Sequence, residues 1–197
     1  MSLLDELHRA VSTPVDYKFI HSVVSPVIPN LGMVLHESLP DKPSLKRVMG
    51  NHDAVCILFR VLDHGRPTPI AHWTCLFKGK HGKLCFFDSL ALGLSGIYRL
   101  THEPHKIEHA LRGHKYERSH QALQRLLSQQ KFCGAAVATR LRYAKTKTNR
   151  EFERFILGYN KTHPGLVFSM LCLWHYTDQH EYEISQDKKQ KTSHDSP

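Results

Sequence analysis

A chain of 197 residues with 41% apolar and 23% charged positions has a globular composition and the length of one domain. No apolar run approaches a membrane span or has the form of a signal peptide, which argues against a membrane-spanning or secreted protein. The net charge of +9 argues against an acidic, solvating chain and favours an acidic partner, nucleic acid first.

The spacing of Leu4, Leu7 and Val11 predicts a short amphipathic helix over 3–11, ending before Pro14. Five prolines between 12 and 52 predict loop with brief strands such as Ser22-Val23-Val24, either a groove wall or a cover. Ala54 to Leu62 is a continuous apolar run, the best central strand, and Asp63-His64-Gly65-Arg66-Pro67 ends it with turn chemistry. Two more strands follow, Ala71–Phe77 and Leu84–Asp88, joined by Gly79-Lys80-His81-Gly82. Leu90 to Leu94 reads as an exit loop. Residues 95–111 read as two helical pieces, with Pro104 in the first turn of the second. A further strand is expected within 115–124, and a central Ala-rich helix over 134–145. Asn149 is expected to cap an amphipathic helix bearing Phe152, Phe155, Ile156 and Tyr159 on one stripe. Gly165 to Trp174 reads as another strand. The sum is an α+β domain over 1–185, a small mixed central sheet packed against the helix that begins at Cys133. Residues 186–197 form a polar tail that composition predicts to be disordered.

Five cysteines without a CxxC pair (Cys56, Cys75, Cys85, Cys133 and Cys172) point to a reducing compartment, so the protein is expected to be intracellular. Cys133 differs from the rest in standing before Gly134-Ala135-Ala136, the start of a helix, where the dipole favours a thiolate. A tight hairpin sets His72 directly opposite Asp88. With Gly82 in a left-handed bulge, the two become diagonal neighbours on one face. Taken singly, His72 reads as a core histidine, Asp88 as a turn cap and Cys133 as an inert thiol. Taken together they outline a nucleophile, its base and the acid that orients the base. The backbone N–H groups where Cys133 and Gly134 open the helix, with a glutamine side chain, would bind an oxyanion.

His72-Trp73 on a strand, Asp88 at the end of the next and Cys133-Gly134 opening a helix resembles the adenovirus-type protease (adenain), in the group that includes SUMO-deconjugating proteases. The resemblance covers residues 54–145 and implies a fold related to papain-like cysteine proteases. It implies a Cys133-His72-Asp88 endopeptidase acting on viral capsid and core precursors during virion maturation, in the virion and host nucleus. It also implies an oxyanion glutamine ahead of the cysteine, either Gln124, in the Leu123-Gln124 context with an insertion, or Gln129. The chemistry needs no cofactor or metal. DNA and a short viral peptide are the activators the resemblance implies, and the segment Leu90–Phe132 has no cysteine to tether such a peptide.

Other readings stand beside this one. A SUMO- or ubiquitin-like deconjugating protease uses the same triad, and a basic nucleic-acid-binding protein needs none of it. His105-x-x-Glu108-His109 has the order of a zinc-peptidase motif but lacks a marked third ligand, in a chain with 16 histidines. Arg140, Arg142, Lys145, Lys147 and Arg150 gather around the end of the Cys133 helix as a nucleic-acid surface, although cations there also complement the helix dipole.

Overall fold

The sheet of this computed structural model, which describes residues 15–124, 132–172, 174 and 175, is built on one long hairpin. Leu31–Leu35 (β1) runs parallel to Ala54–Asp63 (β2), which pairs antiparallel with Arg66–Lys78 (β3). Leu84–Phe87 (β4) is antiparallel to β3, and Tyr116–Arg118 (β5) is parallel to β4. The order β1-β2-β3-β4-β5 is therefore mixed, antiparallel at its centre and parallel at both edges. The β2–β3 turn is His64-Gly65, both at positive φ (47° and 77°), the arrangement whose twist suits a two-residue hairpin loop. That tight turn starts β3 at Arg66, five residues before the expected Ala71.

Helices cover both faces. Tyr17–Val24 (α1), Cys133–Arg142 (α5), Asn149–Tyr159 (α6) and a helix over residues 164–172 (α7) pack on one side. There they meet Ala54, Cys56, Trp73, Cys75, Phe77, Cys85 and Phe87. Leu45–Met49 (α2), Gly93–Thr101 (α3) and Lys106–Leu111 (α4) cover Val55, Ile57, Phe59, Leu76 and Phe86 on the other. Successive β2 residues alternate between two apolar cores, which is why that strand reads as unbroken hydrophobicity. Every residue of α5 from Cys133 to Leu141 is buried, so this helix lies inside the domain. Among the described residues no helix is long and apolar enough to cross a membrane.

Several sequence expectations are corrected. The Ser22–Val24 segment is helical. Asp16 accepts a hydrogen bond from Phe19 N at 2.8 Å, and Ile20, Val23 and Val24 are buried at helical spacing. Gly165 to Trp174 is not a strand, since residues 164–172 are helical. Asn160 Oδ1 accepts from His163 N at 2.9 Å, and Pro164 opens the helix, where a missing N–H costs nothing. The cap of α6 is Thr148, which closes a capping box with Glu151. Asn149 instead turns inward. The sheet has five strands, with Leu31–Leu35 as an edge strand in the stretch expected to be mostly loop, and the expected 115–124 strand shrinks to three residues. The expected 3–11 helix and the 186–197 tail lie outside the described residues.

Candidate active site

β4 carries Asp88 just past its last residue. Its pairing with β3 runs from Lys78↔Leu84 to Cys75↔Phe87, and one further step sets Thr74 across from Asp88. His72 lies two residues along, a diagonal neighbour on the same face, which is the second of the two expected registers. His81 and Gly82 hold positive φ (59° and 71°) in the connecting turn and select it.

His72 Nε2 is 2.8 Å from Asp88 Oδ1, with the two side chains 6% and 1% exposed. Asp88 is held on every side. Leu90 N donates to Oδ1 at 2.9 Å, Leu92 N to Oδ2 at 2.8 Å, and Asp88 N donates to Ser119 Oγ at 2.9 Å. The turn around it keeps Ala91 at φ 50°, unusual for a residue with a Cβ. This carboxylate is thus fixed in position and cannot swing away from the imidazole.

The same ring hydrogen-bonds Cys133 at the start of α5. With Nε2 on Asp88, the nitrogen left for the thiol is Nδ1. The Trp73 N–H and the Gly134 N–H both bear on the Cys133 sulfur as donors. The helix can approach this closely because Gly134 has no side chain. A Cβ there would stand 2.7 Å from Val15 Cβ and 3.3 Å from Trp73 Cδ1. Trp73 Nε1 in turn donates to Val15 O at 3.0 Å, so residue 15 is strapped across the helix start.

Electrostatics set Cys133 apart. Burial pushes its thiol up, but the hydrogen bond and charge of His72, with the two backbone N–H groups, more than offset this and hold it below the ordinary thiol value. The other four rise. Burial pushes Cys56 and Cys75 well up, Cys85 to about 11 and Cys172 to about 12. Burial lowers His72, yet its bonds to Asp88 and Cys133 dominate and raise it to about 10. Both shifts favour the thiolate–imidazolium form of the pair over the neutral one.

A pH prediction follows with its sign. Alkylation of Cys133 by iodoacetamide should persist below the pH at which a free thiol of pKa about 8.5 loses reactivity, and should decline only as the lowered Cys133 value is crossed. Peptide hydrolysis should fall again near pH 10, where His72 loses the proton it gives to the leaving group, while alkylation does not. In His72→Ala the onset of alkylation should move upward, because only burial and the two N–H groups remain. An onset unmoved in that variant would contradict the pair.

Among the oxyanion candidates, the Gly134 N–H lies at the thiol, as described. Gln124 sits with its carboxamide on Ser89, the residue after Asp88, where Ser89 Oγ donates to Oε1 at 2.9 Å. Gln129 lies outside the described residues. Ser89, Ser119 and Val15 escaped the sequence reading. The two serines had a signal in Asp88-Ser89 adjacency at most, since the contact with Ser119 spans 31 residues.

The basic cluster is broken up. Arg140 is fully buried and is no surface residue. It lies seven positions from Cys133, two helical turns on, and so shares the inward face. Arg142 is half-buried, with Nη1 3.4 Å from Val23 O. Lys145 and Arg150 are exposed, and Lys147 is half-buried with Nζ 4.7 Å from the Phe155 ring centroid. Arg150 joins Lys83, Lys115, His120 and the half-exposed Tyr116 around a groove of about 770 Å³ beside β5. The His105 motif spans the start of α4, where His105 Nδ1 meets Glu108 Oε2 at 2.7 Å. No cluster of three metal-ligating side chains occurs among the described residues.

Comparison of the chain with protein-family models and with curated proteins finds no match to either.

Proposed function

We propose that this protein is a cysteine endopeptidase of the adenain-like type, with an architecture related to the papain-like proteases. The observation that carries the reading is the coupling of one imidazole to both Asp88 and Cys133, with Cys133 the one thiol of five held below its ordinary value. Cys133 Sγ adds to the scissile carbonyl carbon, and the carbonyl electron pair moves onto oxygen. Gln124 and the backbone N–H groups at the helix start receive that oxyanion. Collapse breaks the C–N bond, and the leaving amine takes the proton from His72 Nδ1. Neutral His72 then removes a proton from water, whose oxygen attacks the thioester. Release of the carboxylic acid restores the thiolate and imidazolium. Asp88 orients the ring and stabilises its charged form throughout.

Precursor proteins of a virion are the proposed substrates, with a SUMO- or ubiquitin-like fusion as the competing class. The test offers the full chain a fluorogenic Gly-Gly-amidocoumarin peptide, a set of capsid-precursor peptides and a ubiquitin fusion, and maps iodoacetamide labelling by mass spectrometry. Labelling confined to Cys133 with cleavage of the precursor peptides supports the reading. Cleavage of the fusion alone moves it to deconjugation, and absence of both labelling and cleavage overturns it.

Nucleic acid is the proposed partner, bound by phosphate contacts along the exposed cations. With Arg140 removed from the surface, Lys83, Lys115, Lys145 and Arg150 remain, and Tyr116 offers a ring for stacking. About four phosphate contacts at roughly 0.9 each give a log–log salt slope of magnitude about 3–4. Fluorescence anisotropy with DNA over a salt series measures it. The Lys83/Lys115/Arg150→Ala variant should lose most of the slope, and a slope unaltered by it would place the contacts elsewhere. Stimulation of hydrolysis by DNA or by a noncovalent peptide is scored in the same series.

A further inference from the structure

Cys133 opens α5 directly after Phe132, whose carbonyl oxygen accepts from Ala136 N at 2.8 Å and so begins the helix. The Phe132 ring is buried and lies against the backbone of α7 at Gly165. A Cβ at Gly165 would overlap Cδ2, Cε2 and Cζ of that ring, the last at 2.6 Å. Carbon atoms in contact stand about 3.5–4.0 Å apart, so the two cannot coexist unmoved. Gly165 is not at positive φ, and glycine weakens a helix, so space for the ring is what favours it there. We infer that Gly165 is a positioning residue for Cys133: with no side chain there, the Phe132 ring seats on α7 and holds the start of α5 where the thiol meets His72.

Cys133 has here the role given it by the peptidase reading, on which this rests, and the geometry comes from two packed helices. Gly165, Phe168 and Cys172 share one face of α7, at i, i+3 and i+7. That face lies on α5. Cys172 Sγ is 3.2 Å from both Ala135 O and Thr139 Oγ1, and Thr139 Oγ1 is 3.5 Å from Phe168 O. α7 is thus pinned along α5 and cannot retreat from an added methyl group without giving up these contacts. The displacement falls on the Phe132 ring, which borders a cavity of about 370 Å³ shared with Leu123, Leu157 and Leu166. Residue 132 is bonded to Cys133 and supplies the first acceptor of the helix, so a shift of its backbone moves the nucleophile. One residue past the thiol, Gly134 admits Val15 with similar closeness. Two glycines, one on each helix, thereby let neighbouring groups grip the residues that flank Cys133. A misplacement of about 1 Å at a reacting group can cost about a hundredfold in rate.

Gly165→Ala, Phe132→Leu and the double variant of the full chain provide the test, with Gly158→Ala as the control. Gly158 lies in α6 with nothing within 4 Å of the place its Cβ would take, so the same change there adds a methyl group in open space. Iodoacetamide labelling of Cys133 is followed over a pH series, with melting temperature and hydrolysis of the Gly-Gly-amidocoumarin peptide measured on the same samples. Gly165→Ala should move the onset of alkylation upward, toward that of an ordinary thiol, as Cys133 loses part of its contact with His72. Its kcat should fall about ten- to a hundredfold, with KM within about twofold. Gly158→Ala should keep the wild-type profile. Phe132→Leu should also raise the onset, because the seated ring is gone, and adding Gly165→Ala to it should change neither onset nor kcat by more than about twofold. A lowered melting temperature with a wild-type onset in Gly165→Ala would mark a merely structural glycine and overturn the inference. An equal shift from Gly165→Ala with and without the Phe132 ring would overturn it too. Should Gly165→Ala fail to fold, Phe132→Leu decides, and an onset at the wild-type value there overturns the inference. Failure of the underlying reading has a separate signature: wild-type Cys133 alkylated with the onset of an ordinary thiol and no hydrolysis of the peptide.

Discussion

Cys133→Ala is expected to reduce peptide hydrolysis by roughly 10⁴-fold or more, the scale seen when a nucleophile is removed from a triad that acts as a unit. The fold should survive, because the change deletes one sulfur atom and leaves a small void, a cost of about 1 kcal/mol. The four companion variants define the contrast. Cys56→Ala, Cys75→Ala, Cys85→Ala and Cys172→Ala all alter buried thiols that burial makes poor nucleophiles. Each should lose stability yet keep hydrolysis per folded molecule. Thermal unfolding and peptide turnover on the same samples separate the two effects. Turnover in Cys133→Ala near the wild-type rate would sink the assignment, as would equal losses in any of the four controls.

The largest expected effect on stability is at Arg140. Its guanidinium lies 4.6 Å from the Phe77 ring centroid and 5.2 Å from that of Phe152. Nε donates to Asn149 Oδ1 at 2.8 Å and Nη2 to Lys147 O at 2.9 Å, while Asn149 Nδ2 donates to Phe86 O at 3.1 Å. These contacts join the far end of the Cys133 helix to β4, the strand that leads into Asp88. Arg140→Ala leaves a large cavity beneath two aromatic rings and strips Asn149 and the Lys147 carbonyl of buried donors. The expected loss is about 3–5 kcal/mol. At roughly 2–4 °C per kcal/mol for a chain of this size, the melting temperature should fall by about 6–20 °C. Arg140→Lys should recover little, since an ammonium neither stacks on the rings nor forks to two acceptors. Affinity for DNA, measured on the folded fraction, should stay at the wild-type value. A variant with normal melting and weakened DNA binding would return Arg140 to the surface.

The place of Arg140 shows where sequence reasoning stops. A cation in a basic run reads as solvated, because charge is seldom buried. Helical periodicity from Cys133 assigns the same residue to the inward face, but periodicity does not reveal whether rings and acceptors wait there. Only the packing of Phe77 on β3 with Phe152 and Asn149 on α6 makes burial of a guanidinium tolerable. Gly165 to Trp174 failed for a different reason. A run apolar on all sides suits a strand buried on both faces or a helix buried all round, and period alone does not choose. In Ser22-Val23-Val24 the β-branched residues favour a strand by propensity, but tertiary burial of the helical stripe Ile20, Val23 and Val24 overrides it.

The sequence by itself determined the meeting of His72 and Asp88, because a hairpin with a short turn leaves only two registers and both put the side chains on one face. It also singled out Cys133, whose following Gly and alanines mark a helix start that can approach a strand closely. The choice between registers belonged to the tertiary structure, through the left-handed turn at His81 and Gly82. So did the clamp of Ser89 on Gln124, the anchoring of Asp88 by Ser119 and the strap of Val15 over Gly134. Each of these joins residues more than 30 positions apart. Local propensity and spacing constrain neighbours along the chain, whereas such contacts exist only after the sheet and the buried helix have been brought together.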